Sequence, residues 1–233
     1  MARAPVAVFF ALELEAQALV RQLPRSGTIA PRISVWEGDG MVVAVSGVGK
    51  VAAALAAQFV HDVFKPRCVL SVGLGGALSG ETSRGQVVVA TGAVQHDMDG
   101  RPLTSARGIV PGLNQSVFSA DAPVAEKLHV AARRSVENPR IVKPGLVLTG
   151  DQIVTSRAVR DALAKEFPEG ACVDMETAAI AQVAYQNGTP WGAVRVTSDS
   201  ADETFDLEDV IDFGVKSAGE LFARIILDAV GDL

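Results

Sequence analysis

The stretch "ACVDMETAAIAQVA", residues 171–184, decides how this chain is read. Its first part, "ACVDM", is a continuous apolar run of the kind a strand shows when both of its faces are covered. From Glu176 onward the run is rich in alanine and follows helical spacing. A buried strand passing straight into a buried helix is an α/β unit. Asp174 and Glu176 flank Met175 at that junction, where a carboxylate is costly unless it has a partner or a ligand.

Working outward, the same kind of run recurs in "VAVFFAL", "VVAVS", "CVLSVG", "QVVVATGAV", "GLVLTG" and "GAVRVTS". Between several of these runs lie patterns that predict helices over 13–23, 50–63, 122–134, 158–167 and 176–186, with a last helix over about 215–230. Strand and helix alternate, so the expected fold is α/β, with residues 1–233 as one domain. Segment 92–121, rich in Gly, Pro, Ser and Asp, is too long for an ordinary connection and is expected to be a functional loop or a subunit contact.

Composition narrows the function classes. The 233 residues are 48% hydrophobic, enough for a sizeable core. With a net charge of -6 the chain has no basic field to hold a phosphate backbone, so nucleic acid is excluded as a partner. "MARAPVAVFF" lacks a long apolar segment with a cleavage site, and no apolar run approaches the roughly 18 residues of a membrane span. No membrane partner is expected. Cys68 and Cys172 both sit in strand-like runs and behave as small hydrophobes, which fits a reducing cytoplasm.

Candidate sites come from motifs. "SGVGKVAAAL" places Gly47, Gly49 and Ala52 as a GxGxxA pattern, but a P-loop would need glycine at Ala44 and a hydroxyl at Val51. A dinucleotide fold would need an acid closing the next strand, and "CVLSVG" ends in glycine. These glycines are therefore expected to let a helix pack closely on the sheet, leaving Lys50 solvated. "VGLGGALSG" brings Gly73, Gly75 and Gly76 to the end of a strand, where bare backbone N–H groups can approach a ligand. In "FALELEAQAL", a helix's first turn explains one acid, and Glu15 rather than Glu13 is expected to face the crevice. "VRVTSDSADE" supplies Arg195, Ser198 and Asp199 at another strand end. "VQHDMD" superficially suggests a metal cluster, yet His61 and His129 lie in helical segments without ligand spacing, so His96, Asp97 and Asp99 are expected in a hydrogen-bonded loop or an interface.

Taken together, the E-x-E after the first strand, "SGVGKVAAAL", the glycine turn, "HDMD", "TGDQIV", "VDMETAAIA" and "VRVTSDSAD" resemble the 5'-methylthioadenosine/S-adenosylhomocysteine nucleosidases of the purine nucleoside phosphorylase superfamily, nearly end to end. The resemblance implies a three-layer αβα sandwich around a twisted mixed sheet, a homodimer, a small nucleoside substrate, and neither metal nor organic cofactor. By motif it makes Glu15 the base that activates water, Asp199 the acid at adenine N7, and Arg195 a neighbour of the attacking water. Glu176 would hold the ribose hydroxyls beside the backbone of Met175. Val154 would read the adenine edge through its backbone, with Ile153 just before it.

The implied chemistry is consistent with those residue types. A carboxylate accepts hydrogen bonds from neighbouring hydroxyls, which suits Glu176 to a cis-diol and to the positive charge that grows on the sugar. Protonation at N7 lets adenine leave neutral, and for that Asp199 needs a pKa raised by burial. Asp174, out of phase with Glu176, is expected to serve structure. Two positions depart from the family pattern: Leu74 replaces a serine in the glycine turn, and Ile153 an aromatic that stacks on adenine, leaving Phe205 or another subunit to stack. A phosphorylase would place an arginine before the glycine turn, and none is there; Arg84 lies beyond it and is expected to be solvated. Hydrolysis of a different adenosine derivative, such as futalosine or adenosylhopane, and a non-catalytic nucleoside-binding role are the further alternatives.

Overall fold

A computed structural model describes residues 3–30, 33–78 and 83–233; the end of the glycine motif, residues 79 and 80, lies outside them. The strands are β1 (Val6–Phe10), β2 (Arg25–Ala30), β3 (Ile33–Gly38), β4 (Met41–Val45), β5 (Cys68–Ala77), β6 (Val87–Gln95), β7 (Val117–Ser119), β8 (Val142–Thr149), β9 (Gly170–Asp174) and β10 (Trp191–Asp199). The helices are α1 (Glu13–Val20), α2 (Lys50–Phe64), α3 (Ala122–Ser135), α4 (Arg157–Glu166), α5 (Thr177–Gln186), α6 (Leu207–Phe213) and α7 (Gly219–Asp232).

All strands join one mixed sheet. β5 is its pivot, parallel to β1 on one side and to β10 on the other. Beyond Gly75 it also meets β9 antiparallel, Gly76 opposite Val173. β10, β6, β8 and β9 then return to β5, so part of the sheet closes on itself, while β1, β4, β3 and β2 extend as an open flank. Gly75 permits the closure, because a Cβ there would sit 2.9 Å from the carbonyl oxygen of Val173.

β1 shows why the continuous apolar runs form strands. Val6, Val8 and Phe10 pack with α1, α3 and α7 on one face; Ala7 and Phe9 pack with α2 and α5 on the other. Period-two alternation thus feeds two cores, giving helix, sheet and helix layers. The alanines of α2 and α5, such as Ala53, Ala56, Ala178 and Ala181, bring those helices close to the sheet.

The structure corrects the sequence reading in two places. β2 and β3 were not expected, because "ISVWEG" alternates burial instead of running apolar. The two-residue loop Asp39–Gly40, both at positive φ, joins β3 to β4 as a hairpin. The last helix begins earlier than 215: Asp206 caps α6 by accepting from the Asp209 N–H at 3.0 Å. A π-helical turn over Gly214–Ala218 then carries the chain into α7. Within 92–121, β6 runs to Gln95 and β7 adds a short strand, leaving irregular chain between them. No helix among the described residues is long and apolar enough to cross a membrane.

Candidate active site

The ends of β1, β5, β9 and β10 surround one cavity of about 470 Å³. Its lining includes Glu15, Glu176 and Asp199 with Met175, Val154, Ile153, Ser198, Gly75, Gly76 and Phe205. Residues singled out from distant motifs are therefore gathered at one place, and Arg195 alone lies behind the wall, 2% exposed.

Glu15 is buried while Glu13 faces solvent. Its Oε2 accepts the Leu12 N–H at 3.0 Å, closing the first turn of α1, and Oε1 accepts the Leu74 N–H at 2.9 Å. Burial raises its pKa above the ordinary glutamate value, opposed by the Leu74 N–H and by the charge of Arg195. A raised pKa keeps a carboxylate ready to take a proton near neutrality.

Glu176 is the N-cap residue of α5, yet its side chain does not cap that helix. It reaches across to α2, where Oε1 accepts the Gly49 N–H at 2.9 Å. Gly49 holds φ at 97°, a conformation that presents this N–H at a helix N-terminus. The packing role expected of the "GVG" glycines is thus incomplete, since their turn also supplies a donor to the cavity. Burial, and then the charge of Asp174, push the Glu176 pKa up to about 7, against Arg195 and the Gly49 N–H.

Lys50 is not solvated. Its side chain is 16% exposed and its Nζ lies 2.6 Å from Asp97 Oδ1. Asp97 also accepts the Asp151 N–H at 2.9 Å, and Asp151 accepts the Lys50 N–H at 2.8 Å. This lattice ties the "HDMD" and "TGDQIV" turns to the start of α2. His96 differs from the hydrogen-bonded role expected of it: it is fully buried, neither ring nitrogen has a partner, and burial holds its pKa below the usual value. Among the described residues no cluster of His, Cys, Asp and Glu is arranged to hold a metal ion. Arg84 is exposed as expected, and it pairs with Asp209 and lies 4.7 Å over the Phe213 ring.

Asp199, the last residue of β10, is half-buried. It accepts from the Ser198 hydroxyl at 2.6 Å and from the Ala201 N–H at 2.8 Å. Most of the remaining lining is apolar, including Leu12, Leu14, Val48, Leu74, Leu207, Val210 and Ile211, with Gln152 and Asp174 as its polar members. Apart from Leu74, none of these aliphatic residues was singled out in the sequence, since a lone aliphatic residue reads as core. Phe205 lines the cavity, and Ile153 does so while 58% exposed. Neither lysine nor arginine lines the cavity among the described residues.

Gly73 belongs by sequence to the glycine turn, but what matters is the space it leaves. A Cβ there would lie 2.9 Å from Glu15 Oε1 and 3.0 Å from Arg195 Nη1. The Glu15 carboxylate and the guanidinium thus converge on one point, and Nη1 has no hydrogen-bond partner. A buried orphan donor beside a buried carboxylate is a place for a small polar molecule.

Comparison with known proteins identifies the family of the chain. The model of the phosphorylase superfamily matches residues 5–230. A 5'-methylthioadenosine/S-adenosylhomocysteine nucleosidase of Anoxybacillus flavithermus is 34% identical over 84% of this chain and 85% of its own length. The crystal structure of the nucleosidase of that name from Neisseria meningitidis, in complex with methylthio-immucillin-A, superposes with a TM-score of 0.90 at 34% identity, covering 99% of this chain and 100% of the other. A futalosine hydrolase mutant of Helicobacter pylori superposes with a TM-score of 0.88 at 22% identity over 99% of this chain and 100% of its own, which is a likeness of fold alone.

Proposed function

The chain belongs to the phosphorylase superfamily, among the 5'-methylthioadenosine/S-adenosylhomocysteine nucleosidases, and from that premise we propose how its cavity hydrolyses the N-glycosidic bond of a 5'-substituted adenosine. The reaction releases adenine and the free 5'-substituted ribose. The observation that carries the reading is the convergence of Glu15, Glu176 and Asp199, from three distant segments, on one cavity.

Each carboxylate has a distinct task. Glu176, with Oε1 committed to Gly49, offers its other oxygen to the ribose cis-diol, and its charge favours the cationic sugar of the transition state. Asp199 delivers a proton to adenine N7, so that the base departs neutral. Val154 reads the adenine edge through its backbone, Met175 lies beside the ribose, and Phe205 stacks on the base. Water sits where Glu15 Oε1 and Arg195 Nη1 converge, and Glu15 takes its proton as the oxygen attacks the anomeric carbon. Metal and organic cofactor have no part in these steps.

The lack of a cationic lining among the described residues favours water over phosphate as the nucleophile. Incubation with 5'-methylthioadenosine, S-adenosylhomocysteine, adenosine and inosine, with and without phosphate, tests this. Adenine and free methylthioribose without phosphate are expected; a strictly phosphate-dependent sugar 1-phosphate would make the protein a phosphorylase.

The protein is further read as a cytoplasmic homodimer. Val51, Leu55, Phe59 and Val63 recur every four residues along α2 and are 80%, 49%, 38% and 57% exposed, an apolar stripe suited to a second copy. The buried free thiols Cys68 and Cys172 suit a reducing compartment. Sedimentation should give twice the chain mass, and Val51→Asp should shift it to monomer.

A further inference from the structure

Asp174, assigned to structure by its sequence context, is the most heavily bonded carboxylate of the site. Its Oδ2 accepts the Arg195 Nε–H at 2.8 Å and lies 2.7 Å from Arg195 Nη2 as an ion pair. The same oxygen accepts the Thr177 N–H at 3.0 Å and the Thr177 hydroxyl, and Oδ1 accepts the Thr149 hydroxyl at 2.5 Å. The two charged side chains are 1% and 2% exposed. Asp174 therefore caps α5, the task its neighbour Glu176 leaves undone, and divides the rest of its capacity between the Thr149 hydroxyl and the Arg195 guanidinium.

An arginine held at Nε and Nη2 by one carboxylate cannot turn about its long axis. Ser71 Oγ accepts the hydrogen bond from Nη2 at 2.9 Å and helps to fix the plane. Only Nη1 is left over, and it points to the space beside Gly73 that Glu15 also faces. Freed from Asp174, the buried cation would have two other carboxylates within reach of its field, Glu15 and Glu176. A direct ion pair with Glu15 would hold the base charged, weaken it and close the space for water.

We propose that Asp174 is a positioning residue for the hydrolytic step: it turns Arg195 so that Nη1 stands beside Glu15 without pairing with it, keeping open the place from which water attacks. The proposal rests on the water site described under the proposed function. It differs from a merely structural role because it predicts a change in the proton chemistry of a residue that Asp174 does not touch.

The test compares wild type, Asp174→Asn, Asp174→Glu and Ser71→Ala in phosphate-free hydrolysis of 5'-methylthioadenosine across pH. Asp174→Asn should lower kcat at least 100-fold with KM within about threefold, and move the acid limb of the rate profile to lower pH by at least half a unit. Asp174→Glu should recover at least tenfold of that loss. Ser71→Ala, which leaves every carboxylate in place, should lower kcat three- to tenfold and move the limb the same way. If Asp174→Asn does not fold, as circular dichroism would tell, Asp174→Glu and Ser71→Ala decide alone. An unmoved acid limb in Ser71→Ala or in folded Asp174→Asn, or a kcat of Asp174→Asn within threefold of wild type, overturns the proposal. Loss of turnover in Glu15→Gln, measured alongside, checks the water site itself, so failure of that reading is separable from failure of this one.

Discussion

Two strand-to-helix junctions carry the same pattern, two acids one residue apart, and treat it differently. After β1, Glu13 is exposed and Glu15 is buried against the cavity. After β9, Asp174 and Glu176 are both buried. In the first pair the helix has already begun, and its 3.6-residue turn sends residues two apart to different sides. In the second, Asp174 ends a strand and Glu176 stands in the N-cap, so helical phase does not separate them. Two carboxylates can then share the interior only because Arg195 lies under them and Gly49 lends an N–H. Acid spacing alone therefore does not say which carboxylate is exposed; a buried cation from elsewhere in the chain does.

The sharpest way to break that comparison is to neutralise both acids of the first junction. Glu15→Gln should lower kcat by roughly 10³-fold while Glu13→Gln changes it less than about twofold. Comparable losses in both would mean that exposure does not sort their roles.

Glu176→Gln should come next, weakening nucleoside binding by roughly 10- to 100-fold as the ribose loses a charged acceptor. It also has a signature in stability. Because folding raises the Glu176 pKa from 4.5 to about 7, the native state holds more protons than the unfolded chain between those values. The group's contribution is full below about 4.5 and is lost as pH rises through about 7, with a slope of up to ~1.4 kcal/mol per pH unit. Denaturation midpoints across that window should fall with pH in wild type and flatten in Glu176→Gln.

A smaller effect is expected at Gly49. Alanine there is strained at φ 97°, and its Cβ would lie 3.2 Å from Asp151 Oδ1. A cost of about 1–2 kcal/mol is expected in urea unfolding, with a severalfold rise in KM as the donor to Glu176 shifts. Least is expected of the partly exposed ion pair at the start of α2: Lys50→Met should cost under about 1 kcal/mol in the same assay.

Much of this architecture is legible in one dimension. Apolar runs such as "VAVFF" have to be covered on both faces, so they mark the inner strands, and the helical patterns between them fall nearly at the observed helix ends. "ISVWEG" escapes that reading because one of its faces is half open, although Asp39–Gly40 beside it carries the hairpin signal. Strand-end motifs mark Glu15, Glu176 and Asp199, because polar residues at the ends of apolar runs stand out in the sequence itself.

What the chain alone determined, then, is which segments are buried and which carry acids at their ends, since both follow from local hydrophobicity and spacing. Only the tertiary structure decided which partners those acids meet. Gly49 meets Glu176 across 127 positions of sequence, and Asp174 meets Arg195 across 21, each by way of the sheet. A carboxylate's pKa and partners are set by charges and donors within a few ångströms, and that neighbourhood exists only once β5 has drawn β1, β9 and β10 together.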